Sequence, residues 1–227
     1  KEVYAQNTKF VGNTANGNGG AVALANASRA YFYSAEFDKN TSTENGGAVY
    51  CDGGKVEAIS STFTENIGYN GGAVVLYSGA VSVMNDITAT SNTASNFGGF
   101  IYVDNSSLDL YNSTVNNNSA VDGGAVYLVN SSAKLNNTVF EQNTATNNGG
   151  AVCVLSNGKE VVIQKCTFNE NKAENYGGAV YTADSRIVKM YETVSNKNSA
   201  TYGGVIYITT SGTDVTVNGL TVSDNTA

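Results

Sequence analysis

Apolar and polar residues alternate along this chain in short runs that recur at a nearly constant interval. Valine, isoleucine, tyrosine and threonine fill the runs, and glycine, asparagine and aspartate separate them. This pattern is typical of strands joined by turns, because helices require runs of ten or more residues with a period of about 3.6. The pattern therefore predicts short β-strands along the whole chain.

A Gly-Gly pair opens one strand in every repeat. The steps between successive pairs are 25 to 28 residues, and the pairs begin at Gly19, Gly46, Gly71, Gly98, Gly123, Gly149, Gly177 and Gly203. A steady period of this length indicates one structural unit stacked on copies of itself. We predict an all-β, right-handed parallel β-helix of about eight to nine coils, with three short strands per coil and ~4.8 Å between coils.

Two columns of residues after the glycine pairs are predicted to face the interior, because strand side chains alternate with period two. The first contains only valine and isoleucine, at Val22, Val49, Val74, Ile101, Val126, Val152, Val180 and Ile206. The second comprises Leu24, Cys51, Leu76, Val103, Leu128, Val154, Thr182 and Ile208. Together these columns predict one continuous apolar core along the axis.

A second motif, Phe-x-x-Asn, precedes the glycine corner, with full copies ending at Asn13, Asn40, Asn66, Asn143 and Asn171. Degenerate copies end at Asn92, Asn118, Asn198 and Asn225. An asparagine at one turn position of every coil hydrogen-bonds its own copy above and below. We therefore predict a phenylalanine stack beside a structural asparagine ladder.

Composition is consistent with a single domain over residues 1–227, since the repeat is not interrupted. We expect it to be an internal fragment of a longer surface protein, because no atypical capping repeat is present. Only 14% of the residues are charged, and the net charge is -7. The absence of a basic patch argues against nucleic acid or an anionic membrane surface as a partner. No apolar run long enough to cross a membrane is present, so we expect no membrane insertion of this segment. No cofactor, metal site or catalytic residue is predicted.

The three cysteines do not form a disulfide framework. Cys51 and Cys166 fall in inward columns, where a free thiol behaves as a small hydrophobic group. Cys153 falls in an outward column, and a bridge from it to Cys166 is disfavoured because the two residues belong to different strands.

The two motifs together resemble the repeats of the chlamydial polymorphic membrane proteins and of adhesin-like β-helix proteins. Gly-Gly-Ala-Val at six of the glycine pairs alternates with Phe-x-x-Asn over the whole chain. The resemblance implies a secreted or cell-surface adhesin, similar to an autotransporter passenger, that binds a protein or glycan on a cell or matrix. The chain carries no translocating barrel and few cysteines, so it departs from the chlamydial pattern. The ligand and the oligomeric state stay open.

A carbohydrate-active β-helix enzyme, similar to pectate lyase or polygalacturonase, or its non-catalytic glycan-binding relative, is the alternative. Glycosidases need paired carboxylates, and lyases need an acidic calcium site and a base. The chain has no histidine, and its candidate acids are scattered over Asp52, Asp104, Asp122 and Asp184. Asp104 and Asp184 occupy similar positions but lie three coils apart, roughly 14 Å. We therefore expect no enzymatic activity.

An aromatic stripe is the best candidate for a ligand-binding surface. The outward column between the two buried ones reads Ala23, Tyr50, Val75, Tyr102, Tyr127, Cys153, Tyr181 and Tyr207, and Phe100 lies beside it in sequence. Tyrosine combines rigid apolar area with a polar tip, as partner-binding surfaces often do. Two interpretations stay open, since stacked tyrosines also stabilise a sheet without binding anything. Ordered threonine rows for ice binding are less well supported, because no regular Thr-x-Thr face exists.

Overall fold

A computed structural model describes residues 1–183, 187–209 and 214–227. The strands of the described residues form four sheets, all parallel and in register from one coil to the next, and no helix occurs there. The predicted all-β coil stack is therefore confirmed. The first seven coils contribute four strands each instead of the predicted three, because a two-residue strand lies between the asparagine ladder and the glycine corner. The candidate acid Asp184 lies outside the described residues.

Sheets 1 and 2 are named in the order in which the chain enters them. Sheet 1 has nine strands, Glu2–Gln6, Arg29–Tyr33, Lys55–Ile59, Val81–Asn85, Ser107–Tyr111, Ser132–Asn136, Glu160–Gln164, Ile187–Tyr191 and Asp214–Asn218. Sheet 2 also has nine strands, Lys9–Val11, Glu36–Asp38, Thr62–Thr64, Thr88–Thr90, Thr114–Asn116, Val139–Glu141, Thr167–Asn169, Val194–Asn196 and Thr221–Ser223.

Sheets 3 and 4 complete each coil. Sheet 3 has seven two-residue strands, Thr14–Ala15, Thr41–Ser42, Ile67–Gly68, Thr93–Ala94, Ser119–Ala120, Thr144–Ala145 and Lys172–Ala173. Sheet 4 follows the glycine pairs and has eight strands, Val22–Leu24, Val49–Asp52, Val74–Tyr77, Ile101–Asp104, Val126–Val129, Val152–Leu155, Val180–Ala183 and Ile206–Thr209. The predicted inward columns form the buried face of sheet 4, although Val22 and Ile206 in the end coils are only partly buried. Ile208 is 45% exposed, because no further strand of the described residues covers the last coil.

The glycine pairs form the corner between sheets 3 and 4. The first glycine of each pair needs a left-handed backbone, as at Gly46, where φ is 69°. The second lies against the backbone of the next coil, and a Cβ on Gly47 would overlap the carbonyl oxygens of Ile67 and Gly72. Only glycine fits both positions, which explains why the pair recurs at this corner.

The asparagine ladder runs the length of the described coils. The Asn40 Oδ1 atom accepts hydrogen bonds from the backbone N–H and Nδ2 of Asn13, at 3.1 and 2.8 Å. The Asn40 Nδ2 group donates to Asn66 Oδ1 at 3.0 Å and to the Phe10 carbonyl oxygen at 2.8 Å. The other rungs follow the same pattern at Asn92, Asn118, Asn143, Asn171, Asn198 and Asn225. The predicted ladder of asparagine side-chain hydrogen bonds is confirmed.

The residue before each ladder asparagine adopts a left-handed backbone. Lys39 has φ 54°, Glu65 has φ 51°, and Gln142 has φ 53°. This conformation costs an L-residue roughly 1–2 kcal/mol. The hydrogen bonds of the ladder hold the chain at this corner and offset that cost.

Phenylalanine rings fill the interior beside the ladder. Phe37 stacks on Phe63 with 4.8 Å between ring centroids. In the next coil the sheet 2 position is Ala89, and Phe100 replaces the alanine found after most glycine pairs. The Phe100 ring lies 5.6 Å from the Phe63 ring. This coil therefore has a small residue in sheet 2 and a large one after the glycine pair, the reverse of most coils, and its core stays filled.

The three cysteines are free and buried. Burial raises the pKa of the Cys51 thiol to about 11 and that of the Cys166 thiol to about 12. No bridge joins Cys153 to Cys166, as expected. The Cys51 and Cys166 thiols are therefore protonated at neutral pH and act as small core groups.

Candidate binding face on sheet 4

The outer face of sheet 4 carries the predicted tyrosine column (Ala23, Tyr50, Val75, Tyr102, Tyr127, Cys153, Tyr181 and Tyr207). Strand alternation places this column on the outside of the coil. In the second coil, for example, Val49 and Cys51 are fully buried and Tyr50 between them is half-buried. Tyr102, Tyr181 and Tyr207 are half-buried in the same way. These tyrosine rings thus lie partly exposed on the outer face of sheet 4.

Two residues assigned to this surface do not lie on it as predicted. Phe100 is fully buried, because it faces the interior and fills the space beside Phe63. Its assignment to the ligand surface is wrong. Tyr127 is on the outer face but only 6% exposed, because the Phe97 ring covers it at 4.4 Å between centroids.

A second outward column, which the sequence analysis missed, borders the tyrosines. This rim column consists of the residue before each glycine pair, namely Asn18, Asn45, Asn70, Phe97, Asp122, Asn148, Tyr176 and Tyr202. Asn45 donates from its backbone N–H and Nδ2 to Asn18 Oδ1, at 3.0 and 2.9 Å, and Asn70 Nδ2 donates to Asn45 Oδ1 at 2.9 Å. The fixed offset from the glycine pairs was the signal that would have found this column.

Aromatic members of the rim column stack on tyrosines of the following coil and divide the stripe into two clusters. The Phe97 cluster comprises Phe97, Tyr102 and Tyr127, whose Tyr102 and Tyr127 centroids are 5.6 Å apart. The Tyr176 cluster comprises Tyr176, Tyr181, Tyr202 and Tyr207. Its Tyr176 and Tyr207 rings lie 4.5 Å apart, and Tyr202 is 55% exposed. The second cluster therefore presents more ring surface to solvent.

Cys153 and Asp122 occupy the gap between the clusters. Cys153 is 1% exposed, and its burial, reinforced by the charge of Asp122, raises the thiol pKa. Burial also raises the pKa of the Asp122 carboxyl, although the Asn148 backbone N–H donates to its Oδ1 at 2.9 Å and opposes that effect. The Cys153 side chain is thus covered at this gap.

The column is interrupted a second time at Val75, which lies between Tyr50 and Tyr102 and is only 1% exposed. A surface cavity of about 370 Å³ beside it is lined by Asn45, Tyr50, Asn70, Val75, Tyr77, Tyr102 and Asp104. The Tyr102 hydroxyl donates to Asp104 Oδ2 at 3.2 Å, and burial followed by the Asp104 charge raises the pKa of Tyr102. Burial and the Asp52 charge likewise raise the pKa of Tyr50. Both hydroxyls are therefore neutral hydrogen-bond donors at physiological pH.

The candidate acids are distributed over this face. Asp52 pairs with Tyr77, and Asp104 follows Val103, which pairs with Leu76, so Asp52 and Asp104 share one outward column two coils apart. Asp122 lies on the opposite rim of the sheet. Asp184 lies outside the described residues. Within the described ranges, no group of three or more histidine, cysteine, aspartate and glutamate side chains could hold a metal ion.

Comparison with known proteins identifies the fold family. A family model described as a right-handed β-helix region matches residues 2–168 and 84–227. Searches of curated proteins and of solved structures found no match. No helix in the described part of the chain is long and apolar enough to cross a membrane. Because the matched segments together span nearly the whole chain, the protein belongs to the right-handed β-helix family.

Proposed function

We propose that this segment is an adhesin-type β-helix, a rigid extracellular rod whose sheet 4 face binds a protein or glycan on a cell surface or matrix. The observation that carries the proposal is the pair of aromatic clusters on one outward face, with seven rings already stacked on one another. Rings ordered before contact lose little side-chain entropy on binding. Tyrosine anchors also tend to dominate interface energies.

The Tyr176 cluster is the better docking candidate of the two. Tyr202 is 55% exposed, and Tyr181 and Tyr207 are half-buried, so a partner can reach their edges and hydroxyls. In the Phe97 cluster, the ring of Tyr127 is nearly inaccessible and contributes mainly to the packing of the sheet. The stabilising and the binding interpretations of the stripe thus apply to different parts of it.

The resemblance of the repeats to polymorphic membrane proteins and other adhesin-like β-helices supports the extracellular location. The acidic net charge of -7 supports a partner other than nucleic acid. The buried ladders along the rod supply the stiffness that a surface spacer needs.

The test compares Tyr202→Ser/Tyr207→Ser with a matched control, Tyr69→Ser. Tyr69 is 52% exposed but lies outside both aromatic clusters. Labelled protein is applied to cultured epithelial cells, to coated collagen, fibronectin and laminin, and to a glycan array. We expect the double variant to lose at least about tenfold in binding to the surface that the wild type recognises, with Tyr69→Ser unchanged. Equal binding by all three folded proteins would refute the docking role, as would a wild type that binds none of these surfaces.

One observation favours the enzymatic alternative. Asp52 and Asp104 lie two coils apart in one column, a separation of about 10 Å at the backbone, near the 6.5–9.5 Å between carboxyls of inverting glycosidases. We still propose no catalysis, since the Asp104 carboxylate accepts hydrogen bonds from Tyr102 and Asn105. Assays with polygalacturonate and neutral glycans decide the point. Turnover that disappears in Asp104→Asn would establish the alternative.

A further inference from the structure

An exposed turn containing Asn157 and Gly158 connects the sheet 4 strand Val152–Leu155 to the sheet 1 strand Glu160–Gln164. We propose that Asn157 is a site of spontaneous deamidation, at which the side-chain amide is converted to aspartate and isoaspartate through a succinimide. The inference is independent of the proposed function, because this turn lies outside both aromatic clusters.

The reaction needs an asparagine side chain and a following backbone nitrogen that can reach it. The Gly158 nitrogen loses its proton to solvent base and attacks the side-chain carbonyl carbon of Asn157, and Nδ2 leaves as ammonia. Water then opens the succinimide ring. Cleavage of the bond from nitrogen to the side-chain carbonyl carbon gives aspartate, and cleavage of the bond to the main-chain carbonyl carbon gives isoaspartate. Glycine favours ring closure, because it has no Cβ to obstruct the approach.

The fold distinguishes Asn-Gly pairs that are chemically equivalent in the sequence. The chain contains seven such pairs, beginning at Asn16, Asn18, Asn45, Asn70, Asn148, Asn157 and Asn218. Ring closure requires rotation of the peptide between the two residues, so any contact that fixes this peptide slows the reaction. Four of the pairs, at Asn18, Asn45, Asn70 and Asn148, lie at the glycine corner. Asn16 and Asn218 lie in the first and last coils and do not enter the comparison.

The pairs at the glycine corner are fixed by the neighbouring coils. The Gly46 N–H donates to the Asn70 carbonyl oxygen at 2.9 Å, and the Gly149 N–H is bonded in the same way at 2.8 Å. Both glycines are buried. The Asn45 side chain is also held, because its Nδ2 group donates to Asn18 Oδ1 at 2.9 Å. Succinimide formation at these corners must therefore break hydrogen bonds inside the stack of coils.

The Asn157–Gly158 peptide lacks these restraints. Both residues are exposed, and within the described ranges neither the Gly158 N–H nor the Asn157 side chain makes a hydrogen bond. Gly158 has φ 77°, as in the third position of a type II turn. The Lys159 N–H closes the turn by donating to the Ser156 carbonyl oxygen, at a long 3.4 Å. Rotation of this peptide therefore costs less than rotation at the glycine corner.

The product should keep the coil stack. The strands on either side of the turn are paired with the next coil, Val154 with Thr182 and Val161 with Val188. Isoaspartate lengthens the backbone of the turn by one methylene, outside these pairings. Each event also adds one negative charge to a chain whose net charge is -7.

The test incubates the folded protein at mildly alkaline pH and body temperature, with a parallel sample unfolded in concentrated urea. Peptide mass spectrometry and an isoaspartyl methyltransferase assay of the separated peptides measure the reaction at each pair. In the folded protein we expect Asn157 to react at least about tenfold faster than Asn45, Asn70 and Asn148, because only those three require opening of the stack. In urea all four should react at similar rates.

Ala27→Gly is the matched variant, because it creates an Asn-Gly pair in the corresponding turn after the first sheet 4 strand. Asn26 and Ala27 are both exposed, and Ala27 has φ 57°, so glycine fits without strain. We expect Asn26 to be slow in the wild type and to react about as fast as Asn157 in the variant. Hydrogen exchange gives an independent readout, since the Gly158 amide should exchange freely and the Gly46 amide should be protected.

Three results would overturn the inference. The first is an Asn157 that stays intact in the folded protein while it reacts in urea. The second is a glycine-corner pair that reacts as fast as Asn157 in the folded protein. The third is a Gly158 amide that is as protected as the Gly46 amide, which would show that the turn is fixed.

Discussion

Replacing Asn118 with alanine removes one rung from the middle of the asparagine ladder. The Asn118 Oδ1 atom accepts hydrogen bonds from the backbone N–H and Nδ2 of Asn92, at 2.9 and 3.0 Å. Its Nδ2 group donates to Asn143 Oδ1 at 3.0 Å and to the Ala89 carbonyl oxygen at 3.1 Å. Asn92, Asn118 and Asn143 are all fully buried, so water cannot replace the lost partners.

The cost follows from the groups left unpaired. The Asn92 backbone N–H loses its acceptor, and the Asn92 Nδ2 group keeps only its bond to the Phe63 carbonyl oxygen. Each unsatisfied buried donor costs ~1–3 kcal/mol. We therefore expect the free energy of unfolding to fall by about 2–4 kcal/mol, a large share of the ~5–15 kcal/mol typical of a domain.

The matched control is Asn13→Ala in the first coil. Asn13 is exposed and only donates to Asn40 Oδ1, so its loss leaves no buried donor unpaired and costs less than about 1 kcal/mol. Urea melts followed by far-ultraviolet circular dichroism measure both variants. Hydrogen exchange adds a local readout, since Asn118→Ala should strip protection from the Asn92 amide and leave the Asn66 amide, which donates to Asn92 Oδ1, protected. Unchanged melts and an unchanged Asn92 amide would refute the reasoning.

Three further predictions concern the core, the corner and the rim. Phe100→Ala should lower the free energy of unfolding by about 3–5 kcal/mol through the cavity it leaves, and adding Ala89→Phe should recover part of that loss. If the effects of the two substitutions on the urea midpoint simply add, the two positions do not share space. Gly47→Ala should prevent native folding, because its Cβ would overlap backbone carbonyl oxygens. Gly12 has open space around its Cβ position and φ of 64°, so Gly12→Ala should lower the free energy of unfolding by only about 1–2 kcal/mol. Similar melts for the two variants would contradict this. Asp122→Asn should raise the melting temperature at pH 7, because burial raises the pKa of Asp122 and its ionised form destabilises the fold. Because the pKa of Asp122 is higher in the folded than in the unfolded protein, protonated Asp122 stabilises the fold below the unfolded pKa of about 3.9, and this stabilisation is lost as the pH rises. The difference in melting temperature between Asp122→Asn and the wild type should therefore vanish in acid. A difference that persists at low pH would count against a charge effect.

The coil and its stacking could be derived from the sequence alone. The glycine pairs and the Phe-x-x-Asn motif recur at one register because every coil meets the same neighbour, so each position has the same environment along the rod. For the same reason the inward columns and the asparagine ladder could be identified residue by residue. A position such as Asn118 needs an identical partner above and below, and repetition in the sequence supplies it.

The outward surface depends on contacts between coils that the sequence pattern does not predict. The exposure of Tyr127 depends on Phe97, which lies thirty positions earlier in the chain and reaches it across a coil boundary. Phe100 faces inward because Ala89 leaves space beside Phe63. The left-handed corners at residues such as Lys39 and the two-residue strands of sheet 3 were equally hidden, because side chains of the adjacent coil impose them and local propensity does not. Repetition fixes what faces the shared core, whereas what faces solvent varies from coil to coil and is set by contacts between residues that are distant in sequence.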